Sequence, residues 1–184
     1  MFWLIFGLCL WAGAHFFKRV LPRQREAMGN AGRGLVAALI LAGLVSMVIG
    51  YRAVEYEHLY TLPGWAWHAN NMIMLVAIFL MDVSRVGGVV RSKVRHPMLL
   101  GVITWSVAHL LVNGDLASLV LFGGLGLWAL AEMAIINHAQ GPWSPPPPGF
   151  IVKDVKLAII AIVLYAVIVA VHYWFGYSVI AALE

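Results

Sequence analysis

Charge is what this chain lacks most. Only 11% of its residues are charged, against about a quarter in an ordinary soluble domain. Hydrophobic residues make up 62% and the mean hydropathy is +0.89, more apolar surface than a soluble fold of 184 residues can bury. The composition is that of an integral membrane protein. Cysteine is almost absent: Cys9, inside the first apolar run, is the single one. That excludes an internal disulfide and any C-x-x-C metal site. Acidic residues number eight and nowhere form a ring. The net charge of +4 sits mostly in connections, where it speaks for membrane orientation and not for nucleic acid. Short connections between the apolar runs imply one domain, 1–184.

What is present is a series of apolar runs. The first, 2–17, has no basic segment before it and no small-residue cleavage site after it, so it reads as a retained helix and not as a signal peptide. A basic, polar connection, 18–33, follows. Further helices are expected at about 35–51, 65–81, 97–112, 116–136 and 157–175. Trp65 and Trp67 suit an interfacial aromatic belt, Pro63-Gly64 a turn, and Pro145–Pro148 a stiff extended spacer. The expected fold is all-α, a polytopic bundle of about six transmembrane helices. The connections after the first, third and fifth runs then share one side and carry Lys18, Arg19, Arg23, Arg25, Arg33, Arg85, Arg91, Lys93, Arg95, Lys153 and Lys156. The other side shows only Arg52. The positive-inside rule puts both termini outside the cytoplasm, in a bacterial inner membrane.

The stretch 95–115, RHPMLLGVITWSVAHLLVNGD, organises the rest. Pro97 has no N–H to contribute and fits a first helical turn. Asn113-Gly114-Asp115 ends the apolar run in a polar turn. At 3.6 residues per turn, Val102, Ser106, His109 and Asn113 share a stripe. His96 lies about 20 Å from His109 along a helix rising about 1.5 Å per residue, so these two cannot grip one metal.

Of the seven histidines, His58 and His138 fall in loops, His172 is interfacial beside Tyr173 and Trp174, and His96 suits a helix start or a headgroup. His15, His68 and His109 remain as intramembrane candidates. The plain reading of each is a polar residue bonded to a neighbouring helix. The functional reading is an imidazole-loving cofactor, and haem suits best because iron takes two imidazoles from facing helices of a bundle. Zinc wants three or four ligands, and no carboxylate sits among these histidines.

The motif R-H-P-M-L-L-G followed by W-x-x-A-H-L-L-x-N-G-D-L-A-S-L-x-L-F-G, from Arg95 to Gly123, resembles the signature of the NnrU family. The G-x-H at Gly13–His15 and the W-x-x-H at Trp65–His68 match its pattern too. The resemblance covers the first five helices. It implies a place in denitrification and nitric oxide metabolism, with no settled activity. The family is similar to the haem b-carrying 15-cis-zeta-carotene isomerase, and the resemblance to it implies that His15 and His109 are the haem ligands. The isomerase has a cysteine where this chain has Ser106, and a serine supplies no thiolate for ligand exchange. Its helix-one motif continues with serine where this chain has Phe16.

Depth along the helices pairs the ligands differently. His109 lies roughly 18 Å in from Pro97 at about 1.5 Å per residue, and His15 lies nearer the basic face. His68 and His109 each lie about a turn from the opposite face. His15 with His109 stands first on the resemblance, His68 with His109 second on depth. Ser106, Asn113, Arg95 and His96 complete the expected cofactor surroundings. The expected chemistry is redox or isomerisation on an apolar substrate from the bilayer, or on nitric oxide; the alternative is a non-enzymatic haem or nitric oxide sensor or an assembly factor. R-H-P before a helix also resembles membrane methyltransferases of the isoprenylcysteine type. The segment 138–150 has no charged residue where those enzymes bind their cofactor, which argues against that reading.

Overall fold

The computed structural model describes residues 1–179, and among these the protein is all-α, with no strand beyond an isolated bridge between His58 and Asp115. The helices are α1 (Phe2–Val20), α2 (Pro22–Ala27), α3 (Gly29–Ala53), α4 (Trp65–Asp82), α5 (Pro97–Val112), α6 (Leu116–Gln140) and α7 (Ile151–Trp174). Two single-turn 3-10 segments, Val83–Arg85 and Val90–Ser92, lie between α4 and α5. Four spans are long and apolar enough to cross a membrane: Gly29–Ala53, Trp65–Arg85, Leu116–Gln140 and Ile151–Trp174. Pro97–Val112 is a shorter apolar helix, and α1 is apolar as far as Phe17 before ending on Lys18 and Arg19. This is an integral membrane protein, with six long helices where about six were expected. The C-terminal Glu184, expected outside the cytoplasm, lies outside the described residues.

The helix ends differ from expectation where charge was taken as a break. The connection expected at 18–33 contains α2, which starts on Pro22 and runs through strong helix formers. Met28 alone separates α2 from α3, whose first residue, Gly29, takes φ +50°. Helix α6 runs on past the expected Ile136 to Gln140, so His138 lies in its last turn and not in a loop. Helix α7 starts six residues before the expected Leu157, because Asp154 sits in its first turn, where the helix dipole favours a negative charge.

The chain forms two compact units. The first comprises Met1–Tyr60 and Asp115–Gly141. In it α1 and α3 run antiparallel at backbone distance. A Cβ on Gly7 would lie 2.6 Å from the Gly43 carbonyl oxygen, and one on Gly50 would fall on the Leu4 backbone. Small residues let membrane helices approach this closely. Helix α6 runs parallel to α1, with Gly124 against Leu8 and Glu132 against Arg19. Gly124 thus makes the close approach on α6, while Gly123 faces open space.

The second unit comprises Thr61–Gly114 and the chain from Pro142 onward. Here α4 packs on α5, with Gly101 against Ala77 and Met81, and α7 packs on α4. The apolar side chains Ile159, Ile160, Ile162 and Val163 of α7 are exposed, as a lipid-facing surface requires.

Candidate functional site

In the first unit α1 presents Trp11, His15 and Arg19 at intervals of four, so the three share one helix face. Helix α6 answers with Trp128 and Glu132 at the same interval. His15 Nδ1 lies 2.8 Å from the Trp11 carbonyl oxygen. A carbonyl only accepts, so in the neutral ring Nδ1 carries the proton and Nε2 keeps its lone pair. The imidazole is flanked by two indoles, with ring centroids 4.5 Å away at Trp11 and 4.7 Å at Trp128. One turn further on, Arg19 Nε donates to Glu132 Oε1 at 3.3 Å. Glu132 is only 5% exposed. Its Oε2 and the indole N–H groups of Trp11 and Trp128 are buried with no hydrogen-bond partner among the described residues.

The second unit repeats part of this pattern. His109 Nδ1 lies 3.0 Å from the Trp105 carbonyl oxygen, and the ring leans on the Trp105 indole at 4.8 Å. The spacing W-x-x-x-H therefore occurs twice, in α1 and in α5, with the same local bond. Ser106 lies one turn before His109; its hydroxyl is buried with no hydrogen-bond partner among the described residues. Asn113 ends α5 by donating from Nδ2 to the His109 carbonyl at 2.9 Å. The expected stripe of Ser106, His109 and Asn113 is present on one helix. His172 forms the same kind of bond, to Ile168, at 2.8 Å.

The other expected residues are placed as follows. His68 is exposed in the first turn of α4 and makes no hydrogen bond among the described residues. His96 is the residue capping the start of α5, and Arg95 before it is half-buried beside an open cleft. His15 belongs to the first unit; His68, Arg95, His96, Ser106, His109 and Asn113 belong to the second. No three His, Cys, Asp or Glu side chains among the described residues come together as a metal site.

Comparison with known families then decides one point. The NnrU protein family matches residues 3–179. The chain belongs to the NnrU family. No curated protein and no solved structure matches it. The match takes in every long helix of this NnrU protein, both W-x-x-x-H segments and the cleft beside Arg95.

Sequence reasoning missed the indoles around His15 and the partner of Glu132. The available signal was periodic: W-x-x-x-H-x-x-x-R in α1 and W-x-x-x-E in α6 are stripes of matching period. The polar turn expected at Asn113-Gly114-Asp115 leads directly into the start of α6. Asp115 caps the helix, its Oδ1 accepting from the Ser118 N–H at 2.9 Å and its Oδ2 from the Ser118 hydroxyl at 2.6 Å. Tyr51 O–H completes the chain by donating to Ser118 Oγ at 2.8 Å. Burial, and secondly the Asp115 carboxylate, raise the Tyr60 phenol above its ordinary value.

Proposed function

We propose that this NnrU protein binds haem b within the membrane, with His109 as an axial ligand. The observation that supports this most is the Nδ1 bond to the carbonyl four residues back, made by His15 and by His109. Metal-ligating histidines characteristically give their second ring nitrogen to such an acceptor, which fixes the tautomer and aims the other nitrogen. A porphyrin iron asks the protein for one or two imidazoles, so it needs no cluster of three donors. The donor chemistry of both histidines fits. The buried, unpartnered Ser106 hydroxyl is an orphan one turn from His109 and suits a polar contact to a bound group. His68 lacks this tautomer-fixing bond, whereas His172 makes it as well.

Bound haem would supply redox or isomerisation chemistry toward an apolar substrate from the bilayer, or a binding site for nitric oxide. The chain's own part is to orient each imidazole through Trp11 or Trp105 and to keep water away with apolar helix surface. The family's tie to denitrification and nitric oxide metabolism, implied by the sequence motifs, agrees with either use. A non-enzymatic sensor shares every residue named here.

The test is the visible spectrum of the purified protein. A Soret band that titrates to about one haem per chain supports the proposal; a protein that neither carries nor takes up haem overturns it. Orientation is tested separately. Reporter fusions after Arg25 and after Lys93 should report cytoplasm, and a fusion at Glu184 the outside, as the loop charge requires.

A further inference from the structure

One end of the second unit carries a cleft whose lining includes Arg95 but none of the histidines. There α4 stops at Asp82, α5 starts at Pro97 and α7 starts at Ile151. The connections 83–96 and 142–150 are pinned to each other at that end. Gly149 N–H donates to the Gly88 carbonyl at 3.2 Å. Asp154, 6% exposed, accepts at Oδ2 from the N–H groups of Val89 at 2.6 Å and Val90 at 3.3 Å. Gly88 and Gly149 have no Cβ, and this permits the contact: a Cβ on Gly88 would collide with Asp154 Oδ1, and one on Gly149 with the Gly87 carbonyl oxygen.

Beside this clasp lies an open cleft of roughly 290 Å³, lined by Ser84, Arg91, Arg95, Trp143, Ser144 and Pro146. Its lining holds two guanidinium groups and no carboxylate. Asp154 is spent on backbone N–H groups, and Asp82 pairs with Arg85 at 3.2 Å. Neither Arg91 nor Arg95 has an ion-pair partner among the described residues. Pro97, the first residue of α5, also borders the cleft, and that helix has no acidic residue in its first turn. The positive end of the helix dipole therefore adds to the two arginines.

We propose that this cleft binds a phosphate group, in the first place that of an anionic phospholipid headgroup at the basic face of the membrane. Two planar guanidinium forks and two serine hydroxyls offer more donors than a carboxylate can use, and suit the several oxygens of a phosphate. The apolar part of the lining, with Trp143 and Pro146, suits a glycerol backbone at the water boundary. The exposed Phe150, Ile151 and Val152 follow directly in the chain, a surface for the acyl chains. A free phosphate ion shares the headgroup's anionic chemistry without the apolar part. The inference stands independently of haem.

The experiment uses the full-length protein taken from vesicles of phosphatidylglycerol and phosphatidylcholine in equal amounts, with retained lipid counted by native mass spectrometry. Wild type should keep about one phosphatidylglycerol per chain. Arg91→Gln/Arg95→Gln should keep roughly tenfold less, since each basic side chain at a membrane surface matters several-fold. Arg91→Lys/Arg95→Lys should fall between, because lysine keeps the charge and loses the fork. The lysine pair also serves if the glutamine pair fails to fold, which helix content by circular dichroism reports. In a second arm, inorganic phosphate is added to protein in neutral detergent and followed by phosphorus resonance. Broadening that needs both arginines, without selective lipid retention, keeps the anion site and assigns the free ion. Equal retention of the two lipids by wild type, together with no arginine-dependent broadening, overturns the proposal.

Discussion

The two units use similar helices and hold their carboxylates differently. In the first, Glu132 is buried against Arg19 of another helix, and Asp115 against hydroxyls and its own helix N-terminus. In the second, the buried Asp154 binds two backbone N–H groups of a loop and pairs with no cation among the described residues. Helix approach differs as well. Gly7, Gly43 and Gly50 bring α1 and α3 to backbone contact, whereas Gly101 alone does so between α4 and α5. The first unit is fastened helix to helix inside the membrane span. The second is fastened at its loop end, and Arg91 and Arg95 there have no ion-pair partner among the described residues. A binding function suits unpaired charge, and a scaffold suits paired charge.

The largest expected effect breaks the comparison at its histidines. If haem binds as proposed, His109→Ala should lose most of it while the protein still inserts, because such a ligand has no local substitute. His15→Ala, His68→Ala and His172→Ala test the other candidates one by one: a variant whose ferric spectrum turns from low-spin to high-spin, and is restored by added imidazole, has lost a ligand.

Next in size is the buried ion pair. Arg19→Met leaves Glu132 charged and unpaired in a low-dielectric setting and should cost up to about 3 kcal/mol, less than a fully dry pair because Arg19 is one-quarter exposed. Arg19→Met/Glu132→Leu should recover most of that loss, since it removes both charges together. Thermal unfolding in detergent measures both. The matching change in the second unit, Asp154→Asn, should cost only about 1–2 kcal/mol, because an amide oxygen still accepts from Val89.

These contrasts show which parts of the fold were legible in the chain. Helix α5 was readable to the residue because Pro97 starts it and Asn113-Gly114-Asp115 stops it. The start of α7 was not, because Lys153, Asp154 and Lys156 look like loop until Asp154 is seen holding the Val89 and Val90 N–H groups. The Arg19–Glu132 pair spans 113 positions of chain, and local pattern carries no such distance. The histidines of interest were visible as isolated polar residues in apolar runs. Their indole neighbours were not, since Trp128 reaches His15 from another helix.

A smaller effect separates the two glycine interfaces. Gly50→Ala sets a methyl against the Leu4 backbone, which cannot rotate away, so α1 and α3 must part. Overpacking of that kind costs about 1–3 kcal/mol. Gly101→Ala meets first the Met81 Cγ at 2.8 Å, the middle of a flexible side chain, with the Ala77 carbonyl oxygen at 3.0 Å behind it. The expected loss is about 1 kcal/mol. Equal losses in the same unfolding assay would show that the two interfaces are equally rigid.

The smallest effect concerns Tyr60, in the connection between α3 and α4. Burial is the first cause of its raised value and the Asp115 carboxylate the second. The folded protein therefore holds the phenol proton more tightly than the unfolded chain, whose tyrosine titrates near about 10. The stability tied to this proton is complete below that value and is lost as pH rises through the higher folded one. Asp115→Asn keeps an oxygen for the Ser118 N–H, so the helix cap survives while the charge goes. The Tyr60 step, isolated as the ultraviolet difference between wild type and Tyr60→Phe, should then move down but stay above the ordinary range, because burial remains. A step that does not move would mean that Asp115 acts on Ser118 alone, and that this end of the first unit is built by hydrogen bonds without help from charge.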